Sequence, residues 1–397
     1  MATQPPVYLD NAATTPLSPQ ALEAMRPYLE GQSTGFGNAS SLHALGQEAR
    51  RALDAARDRC ARVLGCRVGE VVFTSGGTES NNAAIVGAAL AGHEKRLTHI
   101  VTTAFEHHAV LAAVELAQRL GCTATLVRPG RDGVIDPGAI GAALTPQTGL
   151  VSVMLANNEV GTVQPVAAVA ALVRAHEAAH RTRIALHTDA VQAAGYLPLD
   201  VDTLGVDLLS LSAHKFNGPK GTGLLYIRHN TPFVPTQLGG AQERGRRGGT
   251  ENTAGIVGMS VALEAADGTR EARCAHALAL RERLLAGLTE RIEGMAVHGS
   301  LERRIPANLS VRFEGVEAEP LLMGLDIAGV CASSGAACTA GSIEPSHVLE
   351  SLGLDARATR SGLRLSLGPQ NTEADVDRAV EALAGLVPRL RAVAGKR

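Results

Sequence analysis

Chemistry that needs a primary amine has few places to occur in this chain. The 37 basic residues include four lysines: Lys95, Lys215, Lys220 and Lys396. A lysine condenses with a carbonyl group when it is held in place and partly desolvated. Lys95 falls in the polar stretch 92–98 and Lys396 stands beside the C-terminus, where water keeps an ammonium charged. Lys220 sits in a Pro/Gly turn. Lys215 lies in S-L-S-A-H-K-F-N-G-P-K-G-T-G (210–223), directly after the apolar run 206–211. That places it at the end of a predicted strand, where functional groups of open α/β sheets collect.

Other stretches carry chemistry of their own, each with a plainer structural reading beside it. In T-S-G-G-T-E-S (74–80), two glycines between a strand and a helix let the backbone approach an anion at the helix N-terminus. The motif is neither a P-loop nor G-x-G-x-x-G, and an ordinary capped turn has the same appearance. F-E-H-H-A-V (105–110) offers a histidine for ring stacking or proton transfer, or simply a surface pair at a helix start. The amides of A-N-N-E-V-G-T-V-Q-P (156–165) suit polar recognition, and H-T-D-A-V-Q (187–192) puts Asp189 and Gln192 at a strand end. Q-E-R-G-R-R-G-G-T-E-N (242–252) reads as a phosphate-contacting loop or a solvated basic one. Arg364, in S-G-L-R-L-S-L-G, is a strand-borne clamp for a carboxylate or a surface arginine. Cys338, in C-A-S-S-G-A-A-C-T-A-G-S (331–342), is flanked by small residues that cannot bury it. An exposed thiol of this kind acts as a nucleophile once something lowers its pKa or deprotonates it, or is simply a harmless loop cysteine.

These residues need elements to hold them. Apolar runs predict strands near 71–74, 99–103, 123–128, 149–155, 184–188, 206–212 and 222–227, alternating with helical patterns. The expected fold class is α/β, with a seven-stranded, mostly parallel sheet covered by helices on both faces. A large domain is expected over 17–258. Residues 1–16 and 259–397 would form a smaller α/β domain with strands at 307–314 and 362–367, carrying the cysteine loop. Residues 8–16, Y-L-D-N-A-A-T-T-P, read as an ordered arm, and 31–40 as a glycine-rich loop.

Composition narrows the function classes. The chain has 397 residues, 45% hydrophobic and 19% charged, with formal charge −2, and long basic tracts are missing from it. Neither nucleic acid nor a membrane surface is an expected partner. No apolar run approaches the ~18 residues of a spanning helix, and a cytoplasmic location is expected. Six scattered cysteines make neither a disulfide framework nor a zinc-ligand pattern.

The motifs converge because each is predicted at the carboxyl edge of the same sheet. A lysine, an aspartate, an anion loop and a histidine in one crevice meet the needs of pyridoxal 5′-phosphate: an amine for its aldehyde, a carboxylate for its ring nitrogen, donors for its phosphate and a ring over its face.

The chain resembles the cysteine desulfurases of the NifS/IscS type, in the class V aminotransferase group of fold-type I pyridoxal phosphate enzymes. The likeness is carried by Y-L-D-N-A-A-T-T-P, T-S-G-G-T-E-S, E-H-H-A-V, N-N-E-V-G, H-T-D-A-V-Q, S-A-H-K, R-G-G-T-E-N and S-S-G-A-A-C-T. It implies that Lys215 forms the Schiff base and later moves a proton, that Asp189 pairs with the ring nitrogen, and that His107 stacks on the ring as acid or base. It further implies that Gly77, Thr78, Ser212 and His214 hold the phosphate, with Thr250 reaching across from the other subunit of a homodimer. Asn158 and Gln192 would lie near substrate and the ring oxygen, with Asn11 and Arg364 on the substrate side. By the same resemblance Cys338 takes sulfur from L-cysteine as a persulfide, alanine leaves, and the sulfur passes to an acceptor such as an iron–sulfur scaffold or thiolation protein. No resident metal is implied, although Cys338 could contact a transferred iron–sulfur cluster. Ala336 and Ala337 stand where the family often has serine, and Gly248 occupies a variable position. A selenocysteine lyase, an ordinary aminotransferase and a non-catalytic sulfur carrier are the alternatives.

Overall fold

The structure is a computed structural model describing residues 5–31, 35–334 and 345–394. Chain order begins with a short strand, β1 (Val7–Tyr8). The seven strands of the main sheet follow: β2 (Val71–Thr74), β3 (His99–Thr103), β4 (Thr123–Val127), β5 (Thr148–Ser152), β6 (Ala185–Asp189), β7 (Leu208–Ser212) and β8 (Gly223–Ile227). Their order is β2-β8-β7-β6-β5-β3-β4. Neighbours from β7 across to β4 run parallel, whereas β8 is antiparallel to both β2 and β7. The carboxyl ends of β2, β3, β6 and β7 therefore share one edge, as the expected fold requires.

Central strands buried on both faces need continuous apolar runs, and β7 (Leu-Leu-Ser-Leu-Ser) and β8 (Gly-Leu-Leu-Tyr-Ile) are buried throughout. Edge strand β4 has only exposed and half-buried positions. β8 follows β7 directly, and Ala213 N donates to Thr222 O at 3.0 Å where the connection opens. That connection, 213–222, carries Lys215 at the sheet edge.

The smaller unit has a three-stranded antiparallel sheet, β9 (Met295–Val297), β10 (Asn308–Phe313) and β12 (Leu363–Ser366), in the order β12-β10-β9. β11 (Val330–Cys331) pairs in parallel with β1, which ties the N-terminal arm to this unit. Its own core gathers Leu284, Leu309, Leu365 and Leu383. Packing moves two of the expected boundaries. The helix Thr253–Gly268 buries Ile256, Met259, Leu263 and Ala266 in the large core, well past 258. The five-residue helix His347–Ser351 also joins it, through Val348, Leu349 and Leu352, although the chain reaches that helix from the small unit.

Candidate active site

The turn after β2 is shaped by backbone that side chains disfavour. Gly76 has φ +153°, and a Cβ on Gly77 would meet Val191 Cγ2 at 2.8 Å and Ser212 Cβ at 3.3 Å. Two glycines here let the helix Gly77–His93 start against the ends of β6 and β7. Free N–H groups at that start attract an anion. Burial alone would raise the nearby Glu79 carboxyl, but bonds from Arg247 and Ser75 hold it below its ordinary value. Arg247 Nε donates to Glu79 Oε1 at 2.9 Å, so the basic loop braces this helix within the protomer. No arginine of the loop lines the pocket.

Asp189 closes β6 and is 5% exposed. Asn81 Nδ2 donates to its Oδ2 at 2.6 Å and Val191 N to its Oδ1 at 2.9 Å, which fixes the carboxylate plane. Lys215, just past β7, donates from Nζ to the carbonyls of Ala12 and Ala13 at 2.6 and 2.7 Å. The N-terminal arm is thus part of the site: Thr14 Oγ1 stands 3.1 Å from His214 Nδ1, and Gln192 Nε2 donates to Ala12 O. Burial, then the charges of Lys215 and Lys220, press the His214 pKa down to about 4, so its ring is neutral at physiological pH. Lys95 is exposed, as expected, and so is Lys220.

His107 caps the helix His108–Arg119, its Nδ1 accepting from Ala109 N at 3.0 Å. Burial lowers its pKa, opposed by Asp189 and assisted by Lys215. A neutral ring with Nδ1 occupied as acceptor carries its hydrogen on Nε2. Across the pocket, Arg364 on β12 is 3% exposed and donates from Nη1 to Asn158 O and from Nη2 to Asp10 Oδ1, both at 2.8 Å. Its Nε finds no partner among the described residues.

Gly77, Thr78, His107, Asn158, Asp189, Gln192, Ser212, His214, Lys215 and Arg364 line one cavity of about 350 Å³. Two described site residues, Asn11 and Thr250, do not. Asn11 donates from Nδ2 to Tyr8 O, Ser366 O and Asn371 Oδ1 and accepts from Gln370 Nε2, so its amide serves the junction between arm and small unit instead of substrate. Thr250 is exposed and lies in a separate cleft with Ser75, Gly221, Arg247 and Asn252. Cys338 lies outside the described residues.

Asn81 and Glu106 went unread in the sequence. Asn81 is one helical turn beyond Gly77 and therefore on the same helix face, a spacing that could have revealed it. Glu106 is fully buried behind His107, its Oε1 accepting from Thr103 Oγ1 at 2.7 Å and Met154 N at 2.9 Å. Burial pushes its pKa up to about 8. A carboxyl beside a histidine pair gives no sequence sign of such enclosure.

The cavity fits a phosphorylated pyridine aldehyde. Asn158 Oδ1 is buried without a hydrogen-bond partner among the described residues, as expected of a group that awaits a ligand. The glycine cradle admits a phosphate, Asp189 presents a fixed carboxylate, and Lys215 is the lysine within the pocket. Among the described residues no group of His, Cys, Asp or Glu is arranged to hold a metal.

Comparison with known proteins agrees with this geometry. The Aminotransferase class-V family description matches residues 7–379. A cysteine desulfurase IscS from Dictyoglomus turgidum (strain DSM 6724 / Z-1310) is 42% identical over 387 residues, covering 98% of this chain and 96% of the relative. A solved NifS-like protein superposes with a TM-score of 0.89 at 36% identity, covering 97% of this chain and 100% of that one. SspA in complex with cysteine superposes at 0.79 with 34% identity, over 92% and 99% of the two chains. With the lysine, aspartate and glycine cradle brought to one sheet edge, the chain belongs to the class V aminotransferase family, whose cofactor is pyridoxal phosphate.

Proposed function

We propose that the chain is an L-cysteine desulfurase, which converts L-cysteine to L-alanine and carries the sulfur as a persulfide on Cys338. The observation that carries the reading is the pocket that joins Lys215 and Asp189 from the large unit to Arg364 from the small one. The cysteine-bound relative and the IscS relative support the substrate. When bound, pyridoxal phosphate supplies an aldehyde and an electron-withdrawing ring, held by Lys215, Asp189, Ser212, His214 and the turn at Gly77 and Thr78.

This chain's own groups then have separable tasks. Arg364, held by Asn158 O and Asp10, keeps N–H groups available to orient the substrate carboxylate. Lys215 Nζ, positioned by two carbonyls, accepts and returns the proton at Cα. Neutral His107, which lines the pocket and has its Nδ1 taken by Ala109 N, is left with Nε2–H as its proton donor. The thiolate of Cys338 attacks the substrate sulfur: the S–S bond forms, the Cβ–S bond breaks, and its electron pair takes up a proton at Cβ. Sulfur is oxidised and carbon reduced, so L-cysteine and the Cys338 thiol give L-alanine and a Cys338 persulfide without an external oxidant. A thiol acceptor such as an iron–sulfur scaffold or thiolation protein takes this sulfur onward. The enzyme works as a homodimer in which Thr250 of each chain reaches the neighbouring site. No described helix is long and apolar enough to cross a membrane.

Two substitutions test the reading. Cys338→Ser should keep the visible absorbance of the bound cofactor and lose persulfide formation, read as a mass gain of about 32 Da, one sulfur atom, on the intact protein. Lys215→Ala should lose the absorbance of the Schiff base. Desulfuration that persisted in Cys338→Ser would refute the nucleophile, and an absorbance unchanged in Lys215→Ala would refute the amine.

A further inference from the structure

The described residues on either side of the segment that carries Cys338 are both anchored next to residues of the pocket. Before it, Ser333 bridges to the pocket residue Arg364, with Arg364 N donating to Ser333 O at 2.7 Å. After it, Ser346 is 2% exposed and caps the helix His347–Ser351, accepting from Leu349 N at 3.1 Å. The same hydroxyl donates to Glu159 Oε2 at 2.5 Å. His347 Nε2 stands 2.9 Å from Glu106 O, and its ring packs 4.4 Å from that of His108.

A five-residue helix has almost no stability of its own, so these contacts and the burial of Val348 and Leu349 decide where it lies. Glu159 is itself held firmly. Asn157 Oδ1 accepts from Glu159 N and Val160 N at 2.8 and 2.9 Å, and Asn157 Nδ2 donates to Phe105 O at 3.0 Å. Burial raises the Glu159 pKa against the Ser346 bond and the charge of Arg364. Keeping a carboxyl 4% exposed at this junction adds little net stability, since desolvation offsets most of what the hydrogen bond contributes. Such a group is better suited to fixing register. Its chain neighbour Asn158 lines the pocket and receives Arg364, so the register it fixes is that of the returning segment against the substrate site.

We infer that Glu159 is a positioning residue for sulfur transfer: through Ser346, and with His347 seated on Glu106 O and His108, it fixes the anchor at 346–347 that follows Cys338 in the chain, next to the strand-end residues Asn158 and His107 of the pocket. Glu159 takes no part in proton transfer at Cα. The inference rests on the desulfurase reading, and its test separates the two.

The test compares Glu159→Ala with Glu159→Gln, and Ser346→Ala with Ser346→Thr, in the holoenzyme. Two rates are measured: exchange of the L-alanine Cα proton with D2O by NMR, which does not need Cys338, and single-turnover persulfide formation on Cys338 by mass spectrometry. The alanine variants should keep exchange within about twofold of wild type and lose about tenfold or more in persulfide formation, the scale of a small misplacement of a reacting group. Gln and Thr, which keep the hydrogen bond, should restore most of the loss. If exchange falls in step with persulfide formation, or if both alanine variants form persulfide at the wild-type rate, the inference is overturned. Should Glu159→Ala fail to fold, His347→Phe against His347→Gln asks the same question, with Phe slow in persulfide formation and Gln restored. Wild-type protein that exchanges alanine but forms no Cys338 persulfide would refute the desulfurase reading instead.

Discussion

Glu106 shows how much the site depends on groups that touch no substrate. Its carboxyl has an ordinary value of 4.5 and is pushed up to about 8 by burial, against the bonds from Thr103 and Met154. One oxygen, Oε2, has no partner among the described residues. A neutral acid at this depth avoids placing a second negative charge near Asp189, whose charge itself helps to raise the Glu106 pKa. The linkage has a definite sign. Between pH 4.5 and about 8 the folded protein holds a proton that the unfolded chain releases, so the stabilisation is complete below 4.5 and is lost as pH rises through about 8. Glu106→Gln cannot lose that proton. Its stability relative to wild type, measured by urea unfolding at a series of pH values, should therefore increase from pH 5 to pH 8.5. A difference that stays flat across that window would mean that Glu106 is ionised in the fold. Asn81 is a companion case: a single amide, 2.6 Å from Asp189, orients the carboxylate that the sequence did reveal.

At the scale of elements, the strands were readable because short apolar runs bounded by Gly, Pro and polar residues leave few alternatives, and every strand of the main sheet lies where such a run was found. The reversed direction of β8 was not readable, because the residue pattern of a doubly buried strand is the same in either direction. The helix His347–Ser351 was missed for a related reason: five residues are too few for periodicity, and its packing partners are distant in sequence. Lys215, Asp189, His107 and Gly77 could be read because each ends or follows a predicted strand, whereas Glu159, Ser346 and Asn11 owe their roles to contacts that only folding creates. The glycine turn after β2 allows a direct test of an element's function. Gly77→Ala would drive a methyl group toward Val191 Cγ2 and Ser212 Cβ at the start of the helix Gly77–His93, the proposed phosphate site. Affinity for pyridoxal phosphate should fall about tenfold or more, while affinity for unphosphorylated pyridoxal changes much less. Equal losses for both ligands, measured by absorbance titration, would assign the turn to overall packing and not to the phosphate.

For the whole molecule, the site is assembled from pieces that no single unit contains. The arm at 12–14 brings carbonyls to Lys215, the large unit brings Asp189 and the glycine cradle, and the small unit brings Arg364. Thr250 is the exception, because within one chain it is exposed in a different cleft. A residue so placed contributes to cofactor binding only if a second copy of the chain sets it against that copy's partner pocket, the arrangement a two-fold dimer supplies reciprocally. Mixed dimers make this measurable. Lys215→Ala removes a group that acts in its own chain, and Thr250→Ala a group that acts in the neighbour's site. Random exchange between the two variants makes half the dimers mixed, and each mixed dimer holds one site with both residues intact, so desulfuration should recover to about a quarter of the wild-type value. If Thr250 served its own chain, each mixed dimer would instead hold one site lacking Lys215 and one lacking Thr250. Activity would then stay at the average of the two parents, and the shared site would have to be abandoned.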